Sequence, residues 1–220
     1  MGGKRVTGDG TMSSETRNVG NFSGVEVTGS MEVIVSQGPN ATVRVDADQN
    51  LLSYIETNLD GDVLEVHPKK GYNLRPRAGI KIYVTAPQYQ SLEVTGSGAI
   101  RSSSKVTHGN KMRMQIVGSG DIVVDADAPN IATEISGSGS ITVSGNTRAF
   151  GSEINGSGEI HGFNLLSEAT EVEINGSGNA EVFASKQLNI SISGAGDVQY
   201  KGSPTVNKSV SGSGNIRQVQ

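Results

Sequence analysis

Three glutamates, Glu134, Glu153 and Glu173, recur at intervals of 19 and 20 residues, each three residues ahead of a Gly-Ser-Gly triplet. Glu93 precedes an earlier triplet at the same offset. If the chain repeats in space as it does in sequence, these carboxylates form a ladder. Stacked carboxylates can act as acid and base on a glycosidic bond, or hold a cation. They can equally be the solvent-facing members of ordinary strands. Ser191 and Ser209 take the same offset in later repeats, so an acid is not required there. No Lys or Arg row runs beside the acids to polarise a sugar carboxylate, and catalysis is not the expected use.

Other reactive residue types give weaker patterns. Asp46-Ala47-Asp48 and Asp125-Ala126-Asp127 offer oxygens of the kind calcium takes. The residue after each triplet varies too much for a calcium-binding repeat: Ala99, Asp121, Ser140, Glu159, Asn179, Asp197 and Asn215. Turn-favouring Asp at strand ends is the simpler account. His67, His108 and His161 stand far apart and suggest no metal set. Serine is abundant, but no Gly-x-Ser-x-Gly elbow joins a strand to a helix. There is no cysteine, which excludes disulfides, thiolate metal sites and cysteine nucleophiles. No catalytic residue, metal or cofactor is therefore expected. The most binding-like stretch is 67–90, where Tyr72, Tyr83 and Tyr89 accompany Arg75, Arg77, Lys69 and Lys70. Tyr and Arg are common anchors at interfaces. Hydrophobic cover over an open end of the fold is the competing reading.

The elements that position these residues follow from the triplets. Seven corners begin at Gly96, Gly118, Gly137, Gly156, Gly176, Gly194 and Gly212, with Gly194-Ala195-Gly196 the one variant. Their spacings by residue number are 22, 19, 19, 20, 18 and 18. Two residues before each corner sits Val94, Ile116, Ile135, Ile154, Ile174, Ile192 or Val210, and two residues after it Ile100, Ile122, Ile141, Ile160, Ala180, Val198 or Ile216. Polar residues alternate with these apolar ones. That is the period of a strand with one buried face. Each repeat is too small to bury that face alone, so the repeats must stack into a solenoid. Counting by twos turns both corner glycines inward, where the missing Cβ lets a narrow coil bend.

The sequence thus predicts an all-β, single-stranded β-helix of about 18–22 residues per coil with Gly-Ser-Gly corners. Residues 1–17, polar and Gly-rich, read as a flexible leader, or as the start of a chain whose targeting segment has been removed. Residues 18–220 read as one solenoid domain, with irregular, elaborated coils over 18–90 and regular repeats over 91–220. A separate N-terminal β-domain ending near Pro87 is the alternative. In the irregular part Gly29-Ser30-Met31 resembles a degenerate corner, 48–57 (DQNLLSYIET) contains one helical turn, and Asp60-Gly61 marks a hairpin.

Composition fits a thin core: 30 glycines, no tryptophan and 4% aromatic residues, without the Gly-X-Y period of collagen. Net charge is −4, and the 18 basic residues are spread along the chain, so nucleic acid is not an expected partner. No apolar run approaches the ~20 residues of a membrane span.

With the corners in place, the chain resembles the auto-transporter adhesin head, or GIN domain, family of Bacteroidetes surface proteins. The resemblance rests on Asn21-Phe22-Ser23-Gly24-Val25-Glu26-Val27, on Leu92-Glu93-Val94-Thr95-Gly96-Ser97-Gly98, and on the later corners through Gly212-Ser213-Gly214. It implies a right-handed β-helix, export to the cell surface, outer membrane or periplasm, and often a lipid anchor, here outside this chain. The function expected is a non-catalytic adhesion or scaffolding module that binds glycan or protein through its faces. The alternatives are a carbohydrate-active β-helix lyase or hydrolase and a structural spacer of the cell envelope. Little chain follows the last corner, which suggests homo-oligomers through an open C-terminal coil.

Overall fold

A computed structural model describes residues 3–220. From Ser91 onward the chain winds as stacked coils. The strand entering each corner joins one parallel sheet, the glycine-ended sheet. It contains Ser91–Gly96, Lys111–Gly118, Asn130–Gly137, the later part of Ser140–Gly156, the later part of Leu165–Gly176, Gln187–Gly194 and Thr205–Gly212. The first corner glycines are successive ladder partners from Gly96 to Gly212. The strand leaving each corner joins a second parallel sheet, from Ala99–Ser102 to Asn215–Gln218. Ile100, Ile122, Ile141, Ile160, Ala180 and Val198 form its inward row. The solenoid is as the repeat predicts.

The corners refine one expectation. At Gly156 φ is +131°, and a Cβ there would lie 2.4 Å from the Gly137 carbonyl oxygen. Ser157 N–H donates to that same oxygen at 2.9 Å. The first glycine is therefore demanded by its left-handed backbone and by the approach of the coil below, not by an inward Cβ. Only the second glycine of the triplet is the inward one. The middle residue is exposed, which is why Ala195 serves as well as serine.

The irregular part continues both sheets. Gly24–Gly29 pairs in register with Ser91–Gly96 on one side and with Val63–Pro68 on the other. Glu32–Gln37 does the same between Ala99–Ser102 and Lys81–Ala86. Met31, 2% exposed, fills the place of the second corner glycine, and Ser97 N–H still reaches Gly29 O at 3.0 Å. Antiparallel strands Thr42–Asp48 and Met12–Arg17 then close over this end. The helical turn is a 3₁₀ helix, Gln49–Tyr54, that buries Leu51 and Leu52. The hairpin Ile55–Asp60 to Val63–Pro68 turns at Gly61 as its Asp-Gly step requires.

The opening residues differ from expectation. Read as a flexible leader, the chain instead forms two strands, Lys4–Thr7 paired with Tyr72–Arg75 and Met12–Arg17 paired with Thr42–Asp48; Met1 and Gly2 lie outside the described residues. Beside these ladders, one anchor is Asp48, fully buried. Its carboxylate accepts N–H bonds from Gly10 at 2.6 Å, Arg77 at 2.9 Å and Ala78 at 3.2 Å. Burial alone would push this carboxyl up, but the backbone donors together hold it below the usual carboxylate range. No helix among the described residues is long and apolar enough to cross a membrane.

Candidate functional site

The fold turns the repeated glutamates into one outward row of the glycine-ended sheet. In stacking order the row reads Glu65, Glu26, Glu93, Gln115, Glu134, Glu153, Glu173, Ser191 and Ser209. The ladder therefore includes Glu26 and Glu65, which the corner spacing does not reveal. A signal existed: Val25-Glu26-Val27 and Leu64-Glu65-Val66 carry the same apolar flanks as Leu92-Glu93-Val94. It was hidden because one corner is degraded to Met31 and the other strand runs into His67-Pro68. At the middle of the first three acids, partial burial, then Glu93 and Glu65, push the Glu26 carboxyl above its ordinary range.

The other three acids are engaged and solvated. Arg113 Nη2 donates to Glu134 at 2.8 Å and Gln115 Nε2 at 3.3 Å. Asn155 Nδ2 donates to Glu153 at 2.7 Å, and Asn175 Nδ2 to Glu173 at 3.1 Å. Among the described residues no group of three or more His, Asp or Glu is placed to hold a metal ion. The aspartates considered for calcium have other partners. Asp46 pairs with Arg44, Asp48 is buried, and Asp125 and Asp127 both face Lys105. His67, His108 and His161 stay apart, His161 lying between Glu159 and Glu181.

Beside the ladder lies a trough. The neighbouring outward row runs Arg113, Ala132, Gly151, Glu171 and Asn189, and the next runs Lys111, Asn130, Ala149, Ala169 and Gln187. Ala132, Ala149, Gly151 and Ala169 make a floor of small residues between Lys111 and Arg113 on one rim and Glu171 and Glu173 on the other. Two adjoining depressions of about 330 Å³ and 280 Å³ occupy it. Gly151 has no positive φ, and a Cβ there would meet nothing within 4 Å. Neither backbone conformation nor packing asks for glycine. A glycine inside a strand weakens it, and one recurring reason is close approach by a ligand or another backbone. Beneath the floor the Thr133 and Ser152 hydroxyls are buried without partners, at a cost of roughly 1–3 kcal/mol each.

The proposed aromatic and basic surface is not brought together as one patch. Tyr89 is fully buried, its hydroxyl donating to Ser36 O at 2.7 Å beside the Val84 carbonyl; it is a core residue, held against the strands Glu32–Gln37 and Lys81–Ala86. Tyr83 is half-buried under the Arg44 guanidinium, 4.3 Å from the ring centroid. Tyr72 is half-buried, its ring tilted by 52° against that of Tyr54 with centroids 4.7 Å apart. Arg75 and Arg77 are exposed.

Architecture and surface together define a parallel β-solenoid with a polar, shallowly grooved outer sheet. The chain belongs to the family described as "Putative auto-transporter adhesin, head GIN domain", whose pattern it matches over residues 21–204. A solved protein from Parabacteroides distasonis, described as a "putative lipid binding protein", is 27% identical, with a TM-score of 0.83 and coverage of 99% of this chain and 100% of that one. A protein from the same organism described as a "putative adhesin" is 28% identical, with a TM-score of 0.77 and coverage of 98% and 100%. A protein from Bacteroides fragilis described as a "putative adhesin" shares the fold at a TM-score of 0.91 and 19% identity, covering 97% and 100%. No curated protein matches the sequence.

Proposed function

We propose that this chain is a non-catalytic, cell-surface adhesion module that takes a glycan or protein ligand on the outward face of the glycine-ended sheet. The observation that carries the reading is Gly151, a strand-interior glycine with open space above it on a floor of small residues. Such a floor admits a flat ring or an extended backbone to van der Waals distance. The rims then offer Lys111 and Arg113 as donors and Glu171 and Glu173 as acceptors. Family membership supports the adhesive class. The lipid-binding description of one relative points to no cavity here, since the interior is filled by the inward rows.

Catalysis is the weaker reading. A general acid for glycoside hydrolysis is kept protonated by an apolar, water-poor setting. Glu134, Glu153 and Glu173 instead face solvent and accept charge-assisted or amide hydrogen bonds. The test is a glycan and matrix-protein array probed with the wild type and Gly151→Arg. The new side chain fills the trough without touching the core, so the melting temperature should stay while the captured ligand is lost. Capture unchanged by Gly151→Arg would sink the trough.

End-to-end assembly through the last described coil is a second reading: among the described residues Thr205–Gly212 pairs on one side only, and Val210 is 41% exposed. Lys208 stands in the inward row beside Ile190, and an inward charge on an edge strand weakens pairing. Light scattering should find the wild type partly associated and Lys208→Val more so; a strictly monomeric wild type would remove this reading.

A further inference from the structure

The cations of this acidic protein are not distributed as its sequence suggests. Lys4, Arg5, Lys69, Lys70, Arg75 and Arg77 converge on one small element, the parallel ribbon of Lys4–Thr7 and Tyr72–Arg75 with its flanking turns. All six are exposed. Among the described residues none takes part in a salt bridge, whereas Arg17, Arg44, Lys81, Arg101, Lys105, Arg113 and Lys186 all do. The acids close by are engaged elsewhere. Asp48 is buried against backbone N–H groups, and Glu56 faces His67. Exposed Asp9 is the one carboxylate on the adjoining loop.

The ribbon's geometry sets what it can bind. Val6 and Leu74 are ladder partners and pack on the core, so the alternate residues Arg5, Thr7, Asn73 and Arg75 face outward. Lys69 O accepts from Tyr72 N–H, and Lys4 N–H donates to Gly71 O, which sets Lys69, Lys70 and Lys4 at one end. Arg77 lies at the other end, fixed through its N–H to Asp48. At about 3.3 Å per residue, Lys70 to Arg77 makes a row on the order of 20 Å long. A row of unpaired cations suits a linear polyanion better than a membrane, because the outward side of the ribbon carries no apolar side chain to insert. Arginine forks in that row match carboxylate and sulfate oxygens.

We infer that this basic ribbon binds an acidic polysaccharide, a sugar chain bearing sulfate or carboxylate groups. The site is separate from the trough beside the glutamate ladder and stands or falls independently of it.

The test is binding of the full chain to immobilised heparin over a salt series, with neutral dextran as control. The wild type should be retained at low salt and released as salt rises, with no retention on dextran. The double variant Arg5→Ala/Arg75→Ala should lose about tenfold in affinity and show a shallower salt dependence, by roughly one unit of log slope per cation removed. Its circular dichroism melt should match the wild type, since both side chains are exposed and unpaired. Arg5→Lys/Arg75→Lys should keep the salt slope, and Gly151→Arg should leave heparin binding intact. No retention at low salt, or retention indifferent to the Arg5/Arg75 pair, would overturn the proposal. So would equal or tighter binding to vesicles containing anionic phospholipid or to single-stranded DNA, which would assign the ribbon to a membrane or to nucleic acid instead.

Discussion

The two halves of this solenoid are held together by different means. From Ser91 onward, each coil repeats the one before it, and the corner is closed by main-chain bonds such as Ser138 N–H to Gly118 O and Ser157 N–H to Gly137 O, both 2.9 Å. Side chains there fill rows and make few unique contacts. In residues 3–90 the same two sheets continue, but their closure depends on single polar groups that are buried or half-buried. Asp48 gathers three backbone donors, Tyr89 reaches the Ser36 carbonyl, and the Arg17 guanidinium donates to Leu52 O at 2.8 Å and Ile55 O at 3.0 Å. Repetition lets a coil be specified by a triplet and two apolar rows. Ending the stack needs contacts that occur once.

The contrast breaks most sharply at a corner. Gly156→Val places a branched side chain at φ +131° against the Gly137 carbonyl, and should cost on the order of 3 kcal/mol or more. Ser157→Ala, one residue on, should stay within about 0.5 kcal/mol. Chemical denaturation compares the two; similar midpoints would mean that corner stacking does not hold the regular half.

In the capped half the corresponding lesion is Asp48→Ala. It strands buried N–H groups and should cost about 2 kcal/mol or more, loosening the strands Lys4–Thr7 and Met12–Arg17 first. The pH dependence has a defined sign. The folded carboxyl is held below its unfolded value, so its stabilisation is complete above about pH 4 and is lost as pH falls through the folded value. Wild type and variant should therefore converge in acid. Hydrogen exchange of the 3–17 amides, unchanged in the variant, would show that something else anchors the opening strands.

A smaller effect, in the opposite direction, is expected at the trough. Gly151→Ala adds a methyl group into open space and relieves the chain entropy of glycine, so thermal unfolding should show a gain of about 0.5–1 kcal/mol. A loss would mean that the glycine has a structural reason of its own.

The least change is expected at Glu26. Its carboxyl is raised by partial burial and by Glu93 and Glu65, so the folded state takes up a proton more readily than the unfolded chain. Stability should rise slightly as pH drops from neutral through that raised value. Glu26→Gln should remove this dependence and raise the neutral-pH melting temperature by at most about 3 °C. A steeper pH dependence in the variant would show that the first three acids of the ladder do not repel one another.

Much of the fold is legible without coordinates, because a parallel ladder repeats one rule. Ile135, Gly137, Gly139 and Ile141 dictate inward row, corner and next inward row, and a partner 19 residues away obeys the same spacing. The acids Glu134, Glu153 and Glu173 could be aligned from their offsets alone. Three things could not. Glu26 and Glu65 join the ladder without an intact triplet after them, because register passes through backbone pairing, from Ser91–Gly96 to Gly24–Gly29 and from there to Val63–Pro68. Tyr89 lies among exposed-looking neighbours yet is buried by strands that arrive from elsewhere in the chain. Lys4 and Arg5 stand far in sequence from Lys69, Lys70, Arg75 and Arg77, and they meet them because the Lys4–Thr7 and Tyr72–Arg75 ladder, together with Asp48 tying Gly10 to Arg77 across separations of 38 and 29 residues, brings the two segments side by side. The sequence by itself determined the repeating unit, since alternation and glycine corners act locally and recur. Only the tertiary structure decided what closes the stack and which charges meet there, since those depend on single contacts between distant residues that no period announces.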